Sequence, residues 1–223
     1  MTEDRLAQLF PPGAALCVAT PDLYDAPLTA AEAGWMADAV EARRREFAAG
    51  RACARQALAR LGVSDAGLGR SPDRSPIWPA GVVGSISHSR GFCVAVAARQ
   101  RDVAALGMDV ETAGPLEAGV EAMVCSAGEL DALADQAGPL RSAGSKLLFC
   151  GKEALYKAYY PRHRTFLGFH DVEMAVDAVD ECSGTLRARL VGPSLPGDDF
   201  IAALRIAWRL DAERVYCGAS LEA

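Results

Sequence analysis

The chain carries one pattern twice: a long stretch of helical period, then several short strand-like runs set off by turn residues. In the first half, Thr29-Ala30-Ala31-Glu32 has the spacing of a capping box. Trp35, Met36, Ala39, Val40 and Phe47 follow at helical intervals, and Cys53, Ala54, Leu58 and Leu61 continue the period to a closing Gly62. Gly50 is an expected break or kink within that stretch. Residues 63–81, with Pro72, Pro76 and Pro79, read as an irregular connection. Strands are expected around 83–87, 92–98 and 103–110, the last two joined as a hairpin by the polar turn 99–102. In the second half a loop over 111–125 and a short helix near 126–136 lead to a helix from Ser142 or Ser145 to Tyr160, with Pro161 as its stop. Strands are expected at 172–179, 185–191, 201–209 and 214–220. The expected class is therefore α+β, built as two similar α/β lobes, although no internal sequence repeat accompanies the structural one.

Composition bounds the function classes. A chain of 223 residues with 51% hydrophobic and 23% charged residues is long enough to bury a core and unlike a disordered or fibrous protein. Its formal net charge of −6 argues against broad nucleic-acid binding, which needs a dominant basic face. The seven cysteines are scattered singly with no C-x-x-C pair, as expected of reduced thiols in the cytoplasm rather than a disulfide framework or zinc site. No run approaches a membrane span, and Glu3 and Asp4 with only a short apolar run near residues 16–19 do not read as a signal peptide.

Two acidic motifs about forty residues apart carry the chemistry. In Gly107-Met108-Asp109-Val110-Glu111, a presumed strand, the two carboxylates leave the same face and repel unless something positive lies between them. In Lys152-Glu153-Ala154-Leu155-Tyr156-Lys157, a presumed helix, Glu153 and Lys157 are i and i+4 and share a face, with Lys152 100° round the axis from Glu153. Taken singly, the first is equally a solvated acidic turn and the second an exposed ion pair. Together they supply three carboxylates for a hard cation such as Mg²⁺ and lysines for the remaining charge of a pyrophosphate.

Upstream, Arg43, Arg44 and Arg45 precede Arg51 and Arg55. On a continuous helix Arg44 and Arg51 point the same way, and such arginines suit a phosphate monoester, with Arg70 able to join them. Gly84-Ser85-Ile86-Ser87-His88 offers small residues, hydroxyls and an imidazole at which a ligand can approach the backbone.

The order of these motifs resembles one family. Arg43-Arg44-Arg45-Glu46-Phe47, Ala49-Gly50-Arg51, Trp78-Pro79, Gly84 to His88, Gly107 to Glu111, Lys152 to Lys157, then Leu167-Gly168-Phe169 and Asp171, are similar to the 4′-phosphopantetheinyl transferases. The match is to the longer, two-lobed type and its enterobactin-synthase branch. The resemblance implies two lobes, each a long helix packed on a small antiparallel sheet, related by a pseudo-twofold axis with the active site between them. Residues 1–110 would form the N-terminal lobe and 111–223 the C-terminal one.

It implies transfer of phosphopantetheine from coenzyme A, with Mg²⁺ or alternatively Mn²⁺, to a serine of an apo acyl carrier or peptidyl carrier protein. The pathway served, siderophore, polyketide, peptide or fatty acid, stays open. By position, Asp109, Glu111 and Glu153 would hold the metal, Lys157 and Lys152 would meet the pyrophosphate, and Glu153 is the candidate base. Arg43, Arg51, Arg70, Ser87 and His88 would hold the 3′-phosphate and adenine end; helix geometry had favoured Arg44, the motif favours Arg43. Met123 and Val124, with Arg162 and Arg164, are expected at the carrier-docking surface. A monomer is expected, since one chain holds both lobes. The competing readings are a non-catalytic coenzyme A- or carrier-binding module and a metal-dependent nuclease.

Overall fold

The computed structural model describes residues 1–63, 68–117, 119–192 and 195–223. Helix α1 (Glu3–Ala7) and strand β1 (Ala15–Val18) precede α2 (Ala30–Trp35) and the long α3 (Glu41–Arg60). The short strands β2 (Gly69–Arg70) and β3 (Pro76–Ile77) lead to β4 (Val82–Ser89), β5 (Phe92–Arg99) and β6 (Val103–Thr112). Then come α4 (Glu121–Val124), α5 (Ala127–Ala134), the long α6 (Gly138–His163), β7 (Val172–Asp180), β8 (Ser183–Leu190), α7 (Asp198–Ala203), β9 (Arg205–Leu210) and β10 (Arg214–Glu222).

Among the described residues two larger antiparallel sheets result, one of three strands in the order β1-β5-β4, the other of five in the order β6-β10-β9-β8-β7, and β2 pairs with β3 apart from them. Helix α3 packs on the first, burying Cys53, Ala54, Ala57 and Leu58 against Cys17, Ala95 and Ala97. Helix α6 packs on the second, burying Leu147, Leu148, Cys150, Ala154, Leu155 and Ala158 against Ile206, Trp208, Val215 and Cys217. Both halves are thus a long helix on an antiparallel sheet, as the α+β reading requires. Residue 110, the expected division, falls inside β6, which pairs along its length with β10.

The sheets meet at their edges through side chains. Among the described residues neither β4 nor β6 has a strand partner on the side facing the other. Ser85 Oγ accepts from Met108 N at 3.0 Å, and Ser87 Oγ accepts from Val110 N at 3.2 Å, so hydroxyls on β4 satisfy amides that a free β6 edge would leave unpaired.

Several local expectations are corrected. The tight hairpin joins β4 to β5 through Arg90 and Gly91, both at positive φ, as a two-residue loop requires. The turn at 99–102 passes instead from one sheet to the other. The Thr29–Glu32 capping box forms and Gly62 sits at φ +68, but the helical stretch breaks at Met36–Val40 rather than at Gly50. Gly50 is helical because its missing side chain lets α3 approach β4: a Cβ there would lie 2.9 Å from Ile86. Residues 121–124 of the expected loop are helical.

Helix α6 starts earlier than expected, with Pro139 in its first turn, and runs through Pro161 to His163. Pro161 is tolerated because it lies in the last turn, where Arg164 closes the helix in the left-handed region and bonds back to Tyr160 O at 2.9 Å. Residues 201–203, expected as the start of a strand, belong instead to α7, which has Asp198 and Asp199 in its first turn, where acids favour a helix.

Candidate active site

Gly107 sets the geometry. A Cβ at that position would fall 1.9 Å from the carbonyl oxygen of Ala154, so only glycine lets β6 and α6 touch. That contact brings Glu153 and Lys157, one helical turn apart, over Asp109 on the strand. Lys157 Nζ donates to Asp109 Oδ1 at 2.6 Å and to Met108 O at 3.2 Å, and Ser87 Oγ donates to the same Oδ1 at 2.9 Å. Asp109 is 4% exposed, and its second oxygen, Oδ2, is buried without a hydrogen-bond partner among the described residues. Glu111, two residues on and on the same face, accepts from Ser89 Oγ at 3.4 Å.

The electrostatics are those of a carboxylate cluster short of positive charge. Burial pushes the Glu153 carboxyl above its usual range, Lys157 opposes that, and Asp109 and Glu111 add to it. Burial likewise raises Glu111, with the charge of Asp109 adding to it and Lys146 opposing. Burial works against the Lys157 ammonium, but Asp109 and Glu153 hold it above its ordinary value. Among the described residues no group of three or more carboxylate, histidine or cysteine side chains is arranged to hold a metal ion. The chemistry of the donors is nevertheless that which Mg²⁺ takes: hard carboxylate oxygens only, one of them, Asp109 Oδ2, buried and unpartnered among the described residues.

Lys146 was not singled out in the sequence, although it stands seven residues before Glu153 and so on the same helix face. That two-turn spacing was the signal available.

The expected anion-binding residues are divided. Arg43 Nη1 touches His88 Nε2, and His88 Nδ1 lies 3.5 Å from Glu46 Oε2. A guanidinium can only donate, so Nε2 accepts, the proton sits on Nδ1, and the ring is neutral. Burial and the Arg43 charge accordingly hold His88 below the usual imidazole range. Arg44, the alternative from helix geometry, donates instead to Met36 O at 3.0 Å and Ala37 O at 2.8 Å.

Arg51 and Arg70 gather around an aromatic pair. Their guanidinium carbons lie 5.4 and 5.8 Å from the Trp35 ring centroid, and Arg51 lies 4.9 Å from that of Phe47. Arg51, 3% exposed, also donates to the carbonyls of Leu68 at 3.1 Å and Gly69 at 3.0 Å, so it braces the strand carrying Arg70.

Three expectations need correction. Ser87 is not an open ligand donor: it is 3% exposed and its hydroxyl both accepts from Val110 and donates to Asp109. Lys152 does not flank the carboxylates. It is 4% exposed, and its ammonium is bound to Glu129 and to the carbonyls of Val124 and Phe169. The 100° offset from Glu153 turns it into the lobe interior. Val124 is 1% exposed and cannot dock a partner, whereas Met123 beside it is 68% exposed.

Next to Glu153 opens a cavity of about 190 Å³, lined by Tyr156, Phe166, Leu167, Phe169 and Val172 among others. Phe166 is 74% exposed at this site and packs edge-on against Tyr156 at 6.0 Å.

The fold and this junction define a transferase family. The chain matches the 4′-phosphopantetheinyl transferase N-terminal domain over residues 31–98 and the 4′-phosphopantetheinyl transferase superfamily over residues 105–204, and it belongs to that superfamily. Among its relatives is the 4′-phosphopantetheinyl transferase Svp of Streptomyces mobaraensis, 42% identical over 192 residues, which are 84% of this chain and 77% of that protein. The 4′-phosphopantetheinyl transferase PptT of Mycobacterium tuberculosis is 34% identical over 184 residues, 81% of this chain and 80% of that protein. Enterobactin synthase component D of Salmonella typhimurium is 34% identical over a shorter 134 residues, 59% of this chain and 54% of its own. Among the described residues no helix is long and apolar enough to cross a membrane.

Proposed function

We propose that this chain transfers the 4′-phosphopantetheine moiety of coenzyme A to a serine of an apo acyl or peptidyl carrier protein, releasing adenosine 3′,5′-bisphosphate. The observation that carries the reading is the junction itself: Asp109 with an orphaned buried oxygen, bound to Lys157 and faced by Glu111 and Glu153, in a chain of the transferase superfamily. A nuclease would need a basic track for its substrate, which the net charge of −6 disfavours, and a mere binding module has no use for this charge arrangement.

Asp109, Glu111 and Glu153 would hold Mg²⁺, which when bound neutralises pyrophosphate charge; Mn²⁺ could take its place. Lys157 is placed to meet the charge that grows on the leaving phosphate. Glu153 is placed to accept the serine proton directly or through one water. Arg43 and His88 sit where the 3′-phosphate would bind, with Arg51 and Arg70 flanking Trp35 beside the adenine. The apolar cavity next to Glu153 suits the pantetheine arm, whose thiol end carries no charge.

The serine nucleophile comes from the partner. Met123 and Phe166 are exposed apolar residues of the second half of the chain and would suit a carrier helix, with the exposed Arg162 and Arg164, the latter now paired with Asp73, for its acidic residues. Six of the seven thiols are buried and unpaired, in keeping with a cytoplasmic protein, and one chain supplies both sides of the junction, in keeping with a monomer.

The test is incubation of the purified chain with Mg²⁺, coenzyme A and a panel of apo carrier domains, followed by intact mass. Addition of one phosphopantetheine, lost in Glu153→Ala, is the expected result. Coenzyme A binding without transfer to any carrier would favour the binding module instead.

A further inference from the structure

Lys152 stands one residue from Glu153, yet its ammonium is fully used elsewhere. Only 3% of its side chain is exposed, and Nζ donates to Glu129 Oε2 at 2.8 Å, Val124 O at 2.8 Å and Phe169 O at 2.9 Å. Those bonds exhaust a lysine's three donors. Glu129 is equally occupied: Oε2 also accepts from Ser126 N at 2.8 Å, and Oε1 from Met174 N at 2.8 Å. One buried charge pair therefore ties α6 to the end of α4, the start of α5, the 3-10 turn Phe169–Asp171 and β7.

Two of the groups held this way border the proposed site. Val124 follows the exposed Met123, and Phe169 lines the cavity beside Glu153. Helix α4 is only four residues long and cannot hold itself in water. A buried pair of this kind is no better for stability than well-packed apolar side chains, so stability alone does not account for it. What the pair adds is direction: one donor meets Glu129 and the other two each point at one backbone oxygen, of Val124 and of Phe169, which fixes α4 and the cavity wall relative to the helix that carries Glu153.

We propose that Lys152, paired with Glu129, is a positioning residue for the carrier protein, holding the Met123 surface and the Phe169 wall in register with Glu153. The inference rests on the transferase reading above. A carrier docked on Met123 would then deliver its serine to Glu153 at a set distance, while coenzyme A, held chiefly by its charged end at Arg43 and Lys157 and meeting Phe169 only with its neutral pantetheine arm, would be less affected than the carrier.

The test compares the full-length wild-type chain with Lys152→Met and Glu129→Gln. Steady-state rates are measured with coenzyme A and an apo peptidyl carrier domain varied in turn, together with hydrogen exchange of amides 120–126. The KM for the carrier should rise about tenfold while that for coenzyme A stays within about twofold, the size of effect typical of residues that couple sites without contact. Exchange at 120–126 should quicken while amides of α6 stay protected.

A folded variant with wild-type carrier KM and wild-type exchange overturns the proposal. So does an equal loss toward both substrates with faster exchange throughout, which is general loosening. Should Lys152→Met not fold, Glu129→Gln, close to isosteric, carries the same comparison. If the wild-type chain modifies no carrier, the transferase reading itself fails, and the exchange data still decide whether the pair anchors α4.

Discussion

Among the cations of the family motifs, each long helix carries one pair whose two members have opposite fates. On α3, Arg51 has 4% of its side chain exposed and donates to the carbonyls of Leu68 and Gly69, whereas Arg43 is 47% exposed and touches His88. On α6, Lys152 is 3% exposed and bound to Glu129 and two carbonyls, whereas Lys157 is 29% exposed and reaches across to Asp109. One cation of each pair builds the lobe and the other faces the junction. Motif membership therefore does not assign a role; the partners of each donor do.

The sharpest way to break this comparison is at the carboxylate. Glu153→Gln should lower kcat by about 10²–10³, as loss of a group acting on developing charge does. Its unfolding midpoint should stay the same or rise, because burial already disfavours the Glu153 charge. Parallel kinetics and thermal melts decide; a large drop in both would mean that Glu153 is scaffold.

Next comes the buried cation. Lys152→Met leaves Glu129 charged and unpartnered, so calorimetry should record a loss on the order of 3–5 kcal/mol, the cost of removing one member of a buried pair. Smaller is the expected loss at Arg43. Arg43→Ala should raise the KM for coenzyme A about tenfold, one charge-assisted contact, with kcat unchanged and no shift in midpoint. Arg51→Met should reverse that split, lowering the midpoint first.

The smallest effect is a pH dependence at the end of α6. His163 stacks on Tyr159 at 4.3 Å, its Nε2 is buried without a partner, and burial holds its pKa below the usual imidazole range. The unfolded chain binds the proton more readily, so stability should fall as pH drops from the ordinary imidazole pKa toward the depressed one. His163→Phe should flatten a plot of melting temperature against pH in that window; an unchanged slope would assign the dependence elsewhere.

The pairs also mark where the sequence could be read and where it could not. Asp109, Glu111, Glu153 and Lys157 were legible because strand and helix periods alone put each pair on one face. The capping box at Thr29 and the turn at Gly62 were legible for the same reason, being local. Lys152 was not, because its role depends on Glu129, Val124 and Phe169, residues that only the tertiary fold brings to it. Ser85 and Ser87 looked like ligand donors in sequence and turned out to join the edges of two sheets, a function no local pattern encodes. The β4–β5 hairpin was missed because Arg90-Gly91 lacks the usual Asn-Gly or Asp-Gly signal, and Pro161 misled because its cost falls when it sits in a last turn.

The most direct test of the division between scaffold and site cations is one paired measurement on α6. Lys157→Met and Lys152→Met are made in the full chain, and for each the unfolding midpoint and kcat at saturating carrier and coenzyme A are recorded. The expected result is a crossed pattern: Lys157→Met loses about 10² or more in kcat with the smaller change in midpoint, and Lys152→Met loses midpoint while kcat stays within about threefold. The reverse pattern, or equal losses of kcat in both variants, would contradict the account.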